Sequence, residues 1–227
     1  MCLVKLSSLN HNLNMSNDSI RKPVYAFIDA SNLFYGGEKS LGWKIDYKKL
    51  LNYLKDKYKI SKAFYYGGIE TFGFEYSVLS GKQIDLKILL KYLKSEIRKP
   101  KISEEKVVLI GRSIKRVEFY LHLDQFGYHL YLKPVKIFKD ENGHQSKKAN
   151  CDVDMTFDMM RYMGQYSGLI ALTGDGDFAP VLYYLKKHGR TITILARGER
   201  TAKEIKQLAG SDFRDFNYLR EILKFEK

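Results

Sequence analysis

Apolar and polar positions along the chain alternate between two rhythms. The stretch "VYAFIDASN" (24–32) is a short apolar run that ends in polar residues. That is the form of a buried parallel strand delivering its last side chains, Asp29 first, to a sheet edge. In "DYKKLLNYLKDKY" (46–58), Leu50, Leu51, Leu54 and Tyr58 recur at helical spacing with lysines opposite, and "SKAFYYGGI" (61–69) returns as a strand. These three segments make a first βαβ unit.

The rhythm continues. An amphipathic helix is expected over 84–97, closed by Lys99-Pro100, and a second over 103–127, although "KVVLI" within it would also suit a strand. Residues 128–138, "YHLYLKPVKIF", alternate like one strand, and "KDENG" (139–143) is turn chemistry before the basic "HQSKK". A helix over 152–163, a strand over 168–173, a helix over 178–189 and a strand over 190–196 follow. Such alternation implies an α/β fold with a mainly parallel central sheet and helices on both faces. No periodic pattern begins before Pro23, so residues 1–22 read as a disordered leader and 23–227 as one domain. There is no internal repeat.

Charge narrows the partners. The sequence of 227 residues holds 39 Lys and Arg against 26 Asp and Glu, a net charge of +13 that favours a polyanion such as nucleic acid. Nothing approaches the roughly 20 apolar residues of a membrane span, and residues 1–22 lack the continuous apolar core and small-residue cleavage site of a signal peptide, so no membrane partner is expected. Two cysteines, Cys2 and Cys151, make neither a disulfide framework nor a metal-ligand spacing, which points to a reducing cytoplasm.

Against this basic background the carboxylates are grouped. Asp29 closes the first strand, Asp175 and Asp177 follow a later one in "LIALTGDGDF" (169–178), and Asp152, Asp154 and Asp158 start the helix between them. In parallel sheets functional groups collect at the carboxyl ends of strands, near the point where strand order reverses. Each acid also has a structural reading: Asp177 or Asp152 as a helix N-cap, Asp29 in a turn with Asn32. Taken together, carboxylates held close repel one another, and a divalent cation is the simplest remedy. An all-oxygen set suits Mg²⁺ or Mn²⁺ rather than Zn²⁺. A helix-loop-helix calcium site is excluded, because the twelfth position counted from Asp175 is Lys186 and from Asp152 is Met163, where a bidentate Glu is needed.

In order, "FIDASN", "KKANCDVDMTFD" and "LTGDGDFAPVLYYLKKHGRTITIL" resemble the NYN domain family, the LabA-like branch of the PIN-like nucleases, over roughly residues 23 to 197. The resemblance implies a Rossmann-like three-layer α/β/α fold and an acidic site that binds Mg²⁺ or Mn²⁺ and cleaves RNA. Carried across by position, it implies Asp29, Asn32, Asp152, Asp175 and Asp177 as site residues, with Asp154 as an additional acid. One departure is Ala149, where the family often has Gly.

On this reading Asp29 and Asp175 are the principal metal ligands, Asp152 and Asp177 complete the set, and Asn32 orients Asp29 or the phosphate, a role that suits Thr173 no better than packing as a β-branched strand residue. RNA contacts fall to flanking cations: Lys133, Lys136, Lys139, Lys147 and Lys148 on one side, Arg197, Arg200 and Lys203 on the other. Tyr65, Tyr66, Phe72, Phe74 and Tyr76 are candidates either for base stacking or for core packing. A homodimer is an allowed state. Two rivals remain: a non-catalytic RNA-binding module with a residual metal site, and a phosphohydrolase with an aspartyl nucleophile. Against the second, Ser31 stands where an Asp-x-Asp pattern beginning at Asp29 needs its second acid.

Overall fold

In the computed structural model, described over residues 22–34, 42–77, 82–139 and 145–226, six parallel strands form the central sheet. They are β1 (Val24–Asp29), β2 (Ile60–Ile69), β3 (His129–Pro134), β6 (Gly168–Leu172), β7 (Thr191–Ala196) and β8 (Phe213–Asp215). The order across the sheet is β3-β2-β1-β6-β7-β8. Two short strands, β4 (Lys136–Lys139) and β5 (Gln145–Lys148), pair antiparallel in a separate hairpin. The helices are α1 (Tyr47–Tyr58), α2 (Leu86–Glu96), α3 (Glu104–Phe126), α4 (Asp152–Arg161), α5 (Ala179–Lys187), α6 (Lys203–Ala209) and α7 (Arg220–Leu223). Among the described residues no helix is long and apolar enough to cross a membrane.

The period-two alternation of β1 sorts the core into two layers. Ala26 and Ile28 face a cluster built with Leu50, Leu54, Leu89, Leu93 and Leu123, on the side of α1, α2 and α3. Tyr25 and Phe27 face the other side, where Met155 and Met159 of α4, Leu182 and Leu185 of α5, and Ile205 of α6 cover the sheet. The expected three-layer α/β/α architecture is therefore present. The long segment 103–127 is helical throughout, because Ser103 caps its start and Gly127, at φ 102°, ends it in the left-handed conformation that glycine adopts without strain.

Two elements differ from the pattern along the chain. The alternating run 128–138 is not one strand: Pro134 carries no N–H, Val135 makes a last bond to Ile69 O (2.9 Å), and the chain then leaves the sheet to form the β4–β5 hairpin. Beyond Arg197 the chain adds α6, the three-residue strand β8 and α7, whose end returns to the segment before α1 through Asp46 N to Leu223 O (2.8 Å). The consequence for function lies at the centre. From β3 at one edge the chain crosses through the hairpin and α4 to β6, which pairs with β1, so strand order reverses between β1 and β6. A crevice opens there at the carboxyl ends of both strands.

Candidate functional site

Asp29 is the last residue of β1 and is buried, 7% exposed. Its Oδ1 accepts bonds from Ser31 N (3.0 Å), Ser31 Oγ (2.7 Å) and Asn32 N (3.2 Å), so the turn expected between Asp29 and Asn32 is formed. Burial raises its pKa, these bonds oppose the rise, and the charge of Asp175 adds to it. Across the crevice, fully buried Thr173 follows β6, with Oγ1 donating to Asp29 Oδ2 (3.5 Å) and accepting from Asp175 N (3.2 Å). Asn32 Oδ1 accepts from Gly174 N (3.1 Å). The two strand ends are thereby stitched together by side chains that were read as orienting groups.

The glycines between the acids have a packing cause. A Cβ on Gly174 would meet Thr201 Oγ1 at 2.7 Å, and one on Gly176 would run into the Glu204 carboxylate. Their absence lets the start of α6 press onto the loop, where Ala202 N donates to Gly174 O (2.9 Å). Asp175 Oδ1 accepts from Asp177 N (3.0 Å), so Asp175, not Asp177, caps the short 3₁₀ turn Gly176–Phe178. Helix α5 has no side-chain cap at all, which leaves the exposed Asp177 without the structural duty considered for it. Glu204, beside this loop, is an acid that the strand-end pattern did not bring out.

Asp152 arrives from the third direction. Over β2 the Cβ of Ala149 occupies the space above Gly68, where a second Cβ would come within 2.6 Å, so Gly68 supplies the smallness at this contact. Asn150 Oδ1 then accepts from Asp152 N (2.9 Å), and α4 begins. Asp152 does not cap its helix; Cys151 stands at that position without a side-chain bond. The Asp152 carboxyl is pushed up to about 6, first by burial and then by the charges of Asp29, Asp175, Asp177 and Asp154. Five acids from three segments thus share one electrostatic neighbourhood. Among the described residues, however, no three of His, Cys, Asp or Glu are gathered into a set ready to close on an ion. The donor chemistry fits a hard divalent cation held partly through water, as Mg²⁺ commonly is.

The remaining acids of α4 are compensated. Asp154 pairs with Lys133 of β3 (2.7 Å). Asp158 is buried, accepts from Tyr66 Oη (2.9 Å) and pairs with Arg161 (2.7 Å). Because Tyr66 is the β2 register partner of Asp29, this bond ties α4 to the strand beside the site. Of the expected RNA-contacting cations, Lys136 is exposed on the hairpin, Lys133 is engaged by Asp154, and Arg200 is exposed after β7. For Lys147 and Lys148 the described structure gives only the backbone, paired with Ile137 and Lys136; Lys139 is likewise described as backbone. Arg197 is 12% exposed at its side chain and bonds to Asn217 (2.6 Å) and Glu199 (2.6 Å). Tyr65 and Tyr66 are core residues, while Phe72, Phe74 and Tyr76 pack half-buried against it.

The NYN domain model matches residues 73–217 of this chain. The low amplitude and bright protein LabA of Synechococcus elongatus is 24% identical over 206 residues, covering 87% of this chain and 86% of LabA. Among solved structures, VPA0982 of Vibrio parahaemolyticus, a protein of unknown function, superposes with a TM-score of 0.59 at 17% identity, covering 90% of this chain and 98% of that one. That likeness is one of fold, and the fold is PIN-like.

Proposed function

The chain belongs to the NYN domain family, and on that premise we propose that it is a metal-dependent ribonuclease. The observation that carries this reading is that Asp152 lies in the electrostatic field of Asp29, Asp175 and Asp177 near the point where strand order reverses, its carboxyl pushed up to about 6 by burial and by those charges. Mg²⁺ or Mn²⁺ held by Asp29 and Asp175, with Asp152 and Asp177 completing the set, would supply Lewis-acid stabilisation of the phosphorus oxygens and lower the pKa of an attacking water. The chain's own residues do the rest. The Ser31 and Asn32 N–H groups and Thr173 hold the Asp29 carboxylate in place, and Asn32 fixes the β6 loop against β1. Lys136 and the basic hairpin would draw the polyphosphate towards a centre that alone repels it.

The test is cleavage of end-labelled single-stranded RNA by the full chain with Mn²⁺, with Mg²⁺ and with EDTA. Metal-dependent product that accumulates with protein concentration supports the reading, and none under any condition overturns it. A second reading, an RNA-binding module without catalysis, is favoured by one specific observation: no tight three-acid set exists among the described residues. It predicts RNA retention without cleavage and no stabilisation by metal.

A further inference from the structure

One turn along α4 from Asp152, a recess of about 390 Å³ opens beside the acidic centre. Its floor is the outer part of β3, its far wall is formed by Tyr76, Lys82 and Gln83, and its near wall is one face of α4 carrying Asp154, Phe157 and Arg161. The helix exposes three apolar side chains, Val153, Phe157 and Met160, and of these the aromatic Phe157, 59% exposed, is the one that lines the recess, with the Arg161 guanidinium 5.3 Å from its ring centre. Tyr131 lies in the floor, stacked on Tyr66 at 5.2 Å and 16°. Both carboxylates in the recess already carry a cation, Asp154 from Lys133 and Asp158 from Arg161, which reduces their repulsion of a phosphate. The recess does not offer a strand edge for a peptide to extend, because Gln83 Oε1 accepts from Leu132 N (3.2 Å).

We propose that this recess is a nucleotide subsite, in which an unpaired RNA base stacks on Phe157 while its neighbouring phosphate lies at the acidic centre. The proposal rests on the ribonuclease reading and sharpens it, since it makes the substrate single-stranded where it is cut. Size and chemistry agree. The volume is at the small end of ligand pockets, room for one base and its sugar but not for a duplex. Asp152 and Phe157 are five residues apart on α4, a rise of about 7.5 Å with about 140° of rotation, and Asp154, which shares the field of the acidic centre, lies one turn from Phe157 on the recess face. An aromatic face stacks on any base, and a planar guanidinium adds to it.

The experiment is binding of a fluorescein-labelled oligouridylate decamer, and of an RNA duplex of equal length, to the full chain in EDTA, read by fluorescence anisotropy across a salt series. Phe157→Ala should weaken decamer binding about 5- to 150-fold. It should change duplex binding by less than about twofold and leave the salt slope unaltered, since stacking releases no counterions. Phe157→Trp should retain decamer binding. Unchanged decamer affinity in Phe157→Ala, or an equal loss on the duplex, overturns the subsite. So does elution of Phe157→Ala as a smaller species than the parent, which would make Phe157 part of an interface between copies. A parent that cleaves RNA while Phe157→Ala binds normally sinks the subsite alone; a parent that neither binds nor cleaves RNA sinks both readings.

Discussion

Helix α4 carries two kinds of aspartate within seven residues, and the protein treats them oppositely. Asp154 and Asp158 each meet a cation at 2.7 Å, one from β3 and one from the next turn of the same helix. Asp152 faces Asp29, Asp175 and Asp177, and among the described residues none of these four is paired with Lys or Arg. The chain has cations in excess, with a net charge of +13, so the lack of pairing at one place is not a shortage of partners. Compensated carboxylates hold the architecture together. Carboxylates left to repel one another mark the place where a cation from solution lowers the energy of the fold.

The contrast is tested most strongly by activity. Asp29→Asn and Asp175→Asn keep shape and hydrogen bonding but are poor ligands for a hard cation, so each should reduce metal-dependent RNA cleavage by about a hundredfold or more with folding intact. Wild-type rates in either variant would remove that residue from the catalytic set. On the compensated side the expected loss is in stability instead. Asp158→Ala leaves the buried Tyr66 Oη without a partner, while the exposed Arg161 keeps its bond to the Tyr162 hydroxyl, and should cost about 2 kcal/mol, against about 1 kcal/mol for Tyr66→Phe. Urea melts measure both. An Asp158→Ala variant as stable as the parent would mean that the tie between α4 and β2 carries no weight.

Next in size is the effect of metal. At ten millimolar, an ion bound with a Kd near one millimolar adds about 1.4 kcal/mol, which for a chain of this size is roughly 3–6 °C in melting temperature. Mn²⁺ should raise the parent by that amount and Asp158→Asn by a similar amount, but Asp175→Asn scarcely at all. An unshifted parent would transfer the lead to the RNA-binding module.

What the sequence revealed, and what it hid, follows the same division. Asp29, Asp152, Asp175 and Asp177 stood out because strand ends are readable from apolar runs, and acids placed directly after them need a reason. In the sequence Asp158 is one more acid of the group that starts the helix, whereas in the fold Tyr66 and Arg161 engage it. That arrangement depends on the third dimension. Thr173 looked equally suited to strand packing and to orienting a ligand, and only its two bonds, to Asp29 and from Asp175, distinguish the roles. The five strands and five helices with clear periodicity up to Ala196 are legible in the sequence, but β8 is not, since three residues are too few to show a period. Missing that segment also hid Asn217, which with Glu199 holds the Arg197 guanidinium that the sequence assigned to RNA.

The smallest expected effect separates the two kinds of acid by sign. In EDTA, Asp152→Asn removes a charge that three segments of the protein oppose, while forfeiting the 0.3–1 kcal/mol or so that an acid contributes in the first turn of a helix. Repulsion and burial outweigh that gain, because they push the Asp152 carboxyl up to about 6 despite its place at the helix start. Metal-free Asp152→Asn should therefore be as stable as the parent or slightly more so. Asp154→Asn breaks the exposed Lys133 pair instead and should lose up to about 1 kcal/mol. Salt sharpens the distinction, since screening weakens repulsion and attraction alike. Raising ionic strength in EDTA should bring both variants towards the parent, one from above and the other from below. If Asp152→Asn melts below the parent at low salt and approaches it from below, its charge is stabilising the helix rather than opposing the fold, and the acidic rim lacks the strain that a metal ion would relieve.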